Sequence, residues 1–166
     1  MKARLLMMIC LLLLTTACGF HLRGSQVTDF DISNIYINPS SAPQLAKEVK
    51  SQLSGSGATL ANSSQDAAYI ITLKEERFDK SVLSVSAATG KAGEFQIVYN
   101  AKMDAAHADG KNIVENDRIS VTRDFTFDEN AVLGKFSEEV VVQEDLIRSA
   151  ASQVLRRLQA LLRNSQ

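Results

Sequence analysis

The hydrophobic pattern of the chain predicts an α+β fold, a two-layer sandwich in which two helices pack on one face of a four-stranded, mostly antiparallel sheet. A short alternating segment is followed by one with helical spacing, then by three alternating segments and a long second helix. Apolar and polar residues alternate in these segments, so one face of the sheet would be buried (the dry face) and the other would face solvent (the wet face). Both helices are therefore expected on the dry face.

The first strand and the first helix are predicted within residues 31–55. Residues 31–38 alternate around Ile35-Tyr36-Ile37, which is typical of a short strand. A helix is predicted over 43–54, because Pro43 suits a first helical turn, where its missing N–H leaves no bond unmade. Gly55 suits the end of this helix. The helix would carry one apolar stripe, made of Leu45, Val49 and Leu53.

Three strands and two turns are predicted next. From Ala67 the period changes to two, and extended structure is expected through Val85, followed by a turn of small residues at 87–93. The third strand has one apolar face, made of Phe95, Ile97, Tyr99, Ala101, Met103 and Ala105. Asp109-Gly110 is a strong hairpin signal. The returning strand has Ile119, Val121, Phe125 and Phe127 on one face, with Arg123 as the exception.

The last third of the chain returns to a helical period. Its predicted apolar stripe consists of Val140, Ile147, Ala151, Val154, Leu158 and Leu161. The opposite face is polar and contains Arg148, Ser152, Arg156, Gln159 and Arg163. Arginines near the C-terminus of a helix also interact favourably with its dipole.

The first 17 residues have the order of an export signal: basic residues, a ten-residue apolar run, then small residues. A membrane-spanning helix would need roughly 20 apolar residues. The small residues followed by Cys18 resemble the lipobox of bacterial lipoproteins. This resemblance implies removal of residues 1–17, an N-acyl and S-diacylglycerol lipid on Cys18, and a mature domain of residues 18–166 anchored by its acyl chains. Gly19 after the cysteine favours the outer membrane. The alternative is an ordinary secreted protein with a cysteine near its start.

Charge and cysteine content narrow the possible functions. The signal contains two of the 18 basic residues and none of the 19 acidic ones, so the 149-residue mature chain would carry a formal charge of −3. Nothing in that charge suggests a nucleic-acid partner. Cys10 leaves with the signal and Cys18 is taken by lipid, so no disulfide is expected. The mature length suits one domain with its own core.

Residue patterns for catalysis are missing from the sequence. The two histidines have no partners at the spacing of a metal site or a catalytic triad. Gly90-Lys91 does not belong to a phosphate-binding loop, because Val85 stands where that motif needs an earlier glycine and Ala92 where it needs Ser or Thr. We therefore expect neither an enzyme nor a cofactor besides the lipid on Cys18.

Four segments carry a family resemblance. They are Cys18-Gly19-Phe20-His21-Leu22-Arg23-Gly24, Glu94-Phe95-Gln96-Ile97, Arg123-Asp124-Phe125-Thr126-Phe127-Asp128 and Ala131-Val132-Leu133-Gly134-Lys135. The first resembles the opening of the lipopolysaccharide-assembly lipoprotein family LptE, whose members typically begin Cys-Gly-(Phe/Trp)-His-Leu-Arg. The others are similar to that family's Glu-(Tyr/Phe)-Gln strand opening, its aromatic strand end and the residues before its long helix. The predicted order of elements is also that family's order, so the resemblance covers essentially the whole mature chain.

The resemblance implies a non-enzymatic role. Members of the family plug the outer-membrane β-barrel LptD, assist its assembly and bind lipopolysaccharide on its way to the outer leaflet. The chain would then lie at the periplasmic side of the outer membrane and within the barrel lumen, held by membrane lipid through its anchor. Lipopolysaccharide carries phosphates, so exposed lysines are candidate contacts. Lys135 stands where members tend to have a lysine; Lys91 lies at the first hairpin tip, offset from the family's basic residue, which falls nearer Ala88 or Thr89.

Two other functions remain open. The fold and the anchor also suit a lipoprotein adaptor or scaffold of another outer-membrane complex. A lipid-anchored periplasmic enzyme would need a pocket with convergent polar groups, which the sequence does not show. For both Lys91 and Lys135, the alternative is an ordinary solvated surface lysine.

Overall fold

The computed structural model describes residues 34–87, 89–126 and 135–164, with the side chains of the last helix described over residues 139–163. The predicted signal peptide, Cys18 and Phe127 lie outside the described residues, as does the side chain of Lys135.

Within those residues the elements follow the predicted order. The strands are β1 (Ile35–Asn38), β2 (Tyr69–Val85), β3 (Ala92–His107) and β4 (Asn112–Thr126), and the helices are α1 (Pro43–Gly55) and α2 (Lys135–Asn164). The sheet order is β1-β2-β3-β4; β1 runs parallel to β2, and the other two pairs are antiparallel. The predicted α+β sandwich with a mostly antiparallel sheet is confirmed.

One face of the sheet forms the core together with the helices. Its buried residues include Ile71, Leu73, Ile97, Tyr99, Ala101, Met103, Ala105 and Ile119. From α1 the core takes Leu45, Ala46, Val49 and Leu53. The other face is polar, and one cross-strand row there consists of Lys74, Lys102 and Arg118. The division into a dry and a wet face is therefore as the alternation predicts.

The apolar stripe predicted for α2 is wrong at both of its ends. Val140 is 51% exposed, and Leu162 is buried in the place expected for Leu161, which is half-buried. At the C-terminal end the stripe continues from Leu158 by a step of four residues, where a step of three was predicted. At the N-terminal end Val140 lies on a part of α2 that α1 does not reach, so no second helix of the described residues covers it.

Glu76 of β2 connects the sheet to the start of α1. Its carboxylate accepts hydrogen bonds from the N–H groups of Gln44 (3.2 Å) and Leu45 (3.1 Å) and from the hydroxyl of Tyr99 (3.0 Å). The residue preceding the helix, Ala42, makes no side-chain cap, so this carboxylate satisfies N–H groups that would otherwise lack partners. Burial, reinforced by the Glu76 charge, raises the pKa of Tyr99 well above its usual range, so its hydroxyl remains a donor.

The sheet and α2 both extend beyond the start of α1. The helices run in the same direction, because Gln44 lines a groove with Glu144 whereas Gln52 accepts a hydrogen bond from Ser152. Lys135 precedes Glu144 by nine residues, so about 13 Å of α2 projects past α1. Likewise β2 continues for nine residues after Glu76, about 30 Å of strand. We call this projecting part the hairpin end: residues 77–85 of β2, 92–100 of β3, 121–126 of β4 and 135–141 of α2.

Candidate functional site

Exposed apolar residues collect at the hairpin end. In the described part of the chain, the large apolar side chains that are conspicuously exposed are Val82, Leu83, Val85, Val140 and Val141, between 48% and 59% accessible. All five lie on the projecting parts of β2 and α2. A monomeric protein seldom gathers its exposed apolar residues in one place unless that place binds something.

A lysine lies against two stacked aromatic rings at the base of this apolar group. The Nζ atom of Lys80 is 4.6 Å from the ring centroid of Phe95 and 5.4 Å from that of Phe125, and the two rings stack at 5.6 Å. The same ammonium forms a 2.7 Å ion pair with Glu139 of α2. This arrangement fixes the first turns of α2 against three strands, through cation–π and charge interactions combined.

Arg123 provides a second cation on the dry face. It pairs with Ile97, which in turn pairs with Lys80, so the two cations flank the fully buried Ile97 in one cross-strand row. Arg123 is exposed, and it makes no ion pair with any residue that the structure describes. In the sequence, Arg123 is the one charged residue on the otherwise apolar strand face of residues 119–127, and this exception could have indicated a functional position.

Both lysines predicted from the family resemblance lie at the hairpin end. Lys91 is exposed in the turn between β2 and β3, where Ser86 donates its N–H to the Lys91 carbonyl (2.8 Å) and Gly90 takes a φ of +70°. It lies six residues, about 20 Å, beyond the row of Lys80. Lys135 is the first residue of α2, one helical turn or about 6 Å before Glu139. The backbone therefore brings Lys135 close to the Lys80 row and leaves Lys91 further out.

Sequence reasoning did not find Lys80. Its neighbours Phe95 and Phe125 come from two other strands and Glu139 from a helix. The strand register brings them together, and no local sequence pattern predicts that register. The described residues contain no helix long and apolar enough to span a membrane. They also contain no group of three or more His, Cys, Asp or Glu side chains placed to hold a metal ion.

Comparison with known proteins identifies the family. The model of the LptE lipopolysaccharide-assembly family matches residues 26–158. The chain belongs to this family. It is 29% identical over 148 residues to the LPS-assembly lipoprotein LptE of Photorhabdus laumondii and 29% identical over 154 residues to that of Pectobacterium atrosepticum, in each case covering 88% of this chain and 79% of the relative.

Solved structures confirm the fold. Lipoprotein B of Nitrosomonas europaea superposes with a TM-score of 0.67 at 24% identity, covering 87% of this chain and 92% of that one. The rare lipoprotein B of Shewanella oneidensis gives a TM-score of 0.65 at 20% identity, covering 78% of this chain and 97% of that one. This LptE family member therefore shares its sandwich with other bacterial lipoproteins.

Proposed function

We propose that this LptE family member is an outer-membrane lipoprotein, anchored through Cys18, that plugs the β-barrel LptD and binds lipopolysaccharide at its hairpin end. It acts by binding and positioning, without a catalytic step or a cofactor. The observation that carries the proposal is the joint placement of five exposed apolar side chains and several cations at one end of the domain. Lipopolysaccharide is an amphiphile with both acyl chains and phosphates, so its binding site needs both kinds of surface.

Charge reversal tests the lipopolysaccharide site. Lys135→Glu and Lys91→Glu should each weaken binding of purified lipopolysaccharide about threefold to tenfold, because each replaces an attraction to phosphate with a repulsion. Lys111→Glu is the matched control: like Lys91, it is an exposed lysine in a hairpin turn, but it lies at the opposite end of the sheet. Binding should be measured at fixed ionic strength, since salt alone changes such affinities. If the control weakens binding as much as the other two, the site lies elsewhere.

Purification of the tagged full-length protein from detergent-solubilised outer membranes tests the partner. Stoichiometric recovery of LptD would support the plug function. Recovery with an unrelated complex would favour the alternative, a lipoprotein adaptor of another outer-membrane assembly, since the same fold and anchor serve both.

A further inference from the structure

Within the part of the chain that the structure describes, the outer edge of β2 has no neighbouring strand at the hairpin end. β1 pairs only with Tyr69–Thr72 of β2. Further along, Ser41, which lies two residues before α1, accepts the N–H of Glu75 at its hydroxyl (2.8 Å) and the N–H of Glu76 at its carbonyl (3.4 Å). From residue 77 to residue 85, the backbone hydrogen bonds of β2 within the described chain go to β3 alone. Alternate residues of this stretch therefore present their N–H and C=O groups to the outside.

The last part of this edge has the composition of a strand that pairs. The residues Ser81-Val82-Leu83-Ser84-Val85-Ser86 contain no charge, no proline and no glycine. Its three large side chains are about half exposed. The register with β3 is irregular at Leu83 and again at Gly93, one extra residue on each strand, so the original register returns at Val85. The pairing with β3 is thus irregular only around Leu83 and Gly93, and it is regular again at Val85.

The opposite edge of the sheet carries charges and a covering side chain. The outer strand β4 carries five charged residues between positions 115 and 124: Glu115, Asp117, Arg118, Arg123 and Asp124. Asn116 has a φ of +54° where the register with β3 shifts. The Arg157 guanidinium of α2 donates to the Arg118 carbonyl of this strand (2.8 Å). Charges, an irregular residue and a covering side chain are the usual protections of an edge strand. Among the described residues, the Ser81–Ser86 edge has no charge and no covering side chain, and it shares only the register shift, at Leu83, with the β4 edge.

We infer that the Ser81–Ser86 edge of β2 binds an extended, uncharged segment of the barrel partner as an added strand. This inference rests on the proposed function for the identity of that partner. Six residues of strand span only about 20 Å, and pairing over that length buries far less than the roughly 1,200 Å² of a stable interface. A second copy that paired along this edge alone would fall short of that area. A barrel that surrounds the domain supplies the remaining interface, so a short added strand then suffices to set its register.

Two measurements on the full-length lipoprotein co-purified with its barrel test this edge. The double variant Val82→Lys/Val85→Lys places two charges on the edge and should lower the yield of complex about tenfold. The control Thr122→Lys/Thr126→Lys adds the same charges to two exposed positions on β4 and should change the yield by less than about twofold. In addition, amide exchange at alternate residues of 81–86 should slow about a hundredfold in the wild-type complex relative to the isolated lipoprotein. Thermal unfolding of the isolated variants should match that of the wild type, because these side chains are half exposed.

The outcomes separate the inference from the proposed function. A wild-type complex with the barrel, unaffected by the double variant and without slowed exchange at 81–86, would overturn the added strand and leave the plug function standing. Failure of the wild type to co-purify with any barrel would overturn both. Slowed exchange that depends on the concentration of the isolated protein would identify a second copy as the occupant and would also overturn the inference.

Discussion

The two halves of β2 show how one strand serves two purposes. In its first half, Ile71 and Leu73 are fully buried between β1, β3 and the helices. In its second half, Val82, Leu83 and Val85 are half exposed, although they are the same kinds of residue. The difference comes from the neighbours: β1 and α1 stop where β2 continues. The covered half therefore supplies stability, and the hairpin end offers apolar surface, cations and a strand edge that no other described strand covers.

The largest effect expected from this comparison is on folding stability. Leu73→Ala should lower the free energy of unfolding by about 3 kcal/mol, because it removes a fully buried side chain and leaves a cavity. Leu83→Ala is the same substitution on the same strand and should cost less than about 1 kcal/mol, since that side chain is already half in water. Urea denaturation of the unlipidated chain from Gly19 onwards measures both. Equal losses would mean that the hairpin end is part of the folded core.

A smaller loss is expected where the two halves meet. Glu76→Ala should lower the free energy of unfolding by about 2 kcal/mol, because two N–H groups of α1 and the buried Tyr99 hydroxyl lose their acceptor. Adding Tyr99→Phe should cost less in this background than in the wild type, since its hydroxyl no longer has the Glu76 carboxylate to bond. The double-mutant cycle measures that coupling. The control Glu94→Ala, an exposed residue of β3, should change stability by no more than about 0.5 kcal/mol. Additive losses from Glu76→Ala and Tyr99→Phe would contradict the bond between them.

The sequence predicts the covered half better than the hairpin end. Alternation identifies the dry face of β3 from Ala101 to Ala105, and helical spacing identifies the buried side of α1, because burial on one side imposes a period on the residues. The same reasoning fails for Val140. It lies at the correct helical angle for the core but beyond the end of α1, and periodicity carries no information about where a neighbouring helix begins.

The sequence predicted individual residues of the candidate site but not how they are arranged. The family resemblance pointed to Lys91 and Lys135, and the backbone places both at the hairpin end. Lys80, by contrast, gains its environment from Phe95, Phe125 and Glu139, which no sequence spacing connects. The sequence also does not predict the backbone irregularity at Glu75, where φ is +56°. Glutamate, unlike glycine, does not indicate a left-handed backbone conformation.

The smallest effect expected is a pH dependence in the covered half. Burial alone would raise the pKa of Asp104, but the hydrogen bonds from the Lys74 ammonium and from the Asn116 N–H (2.7 Å) outweigh it, and the pKa lies below its usual range. A carboxyl group with a lowered pKa in the folded state adds stability above the unfolded-state pKa of about 3.9, and this contribution is lost as the pH falls through the folded-state pKa. Asp104→Asn should therefore be less stable than the wild type at pH 7, and the difference should shrink progressively below about pH 4. Denaturation curves at a series of pH values measure this slope. Lys74→Met keeps the Asp104 carboxylate and its bond from the Asn116 N–H but removes the ammonium. Its plot of stability against pH should therefore lie between those of the wild type and of Asp104→Asn. A wild type and an Asp104→Asn variant with parallel curves down to pH 3 would show that this pair adds no charge-dependent stability to the covered half.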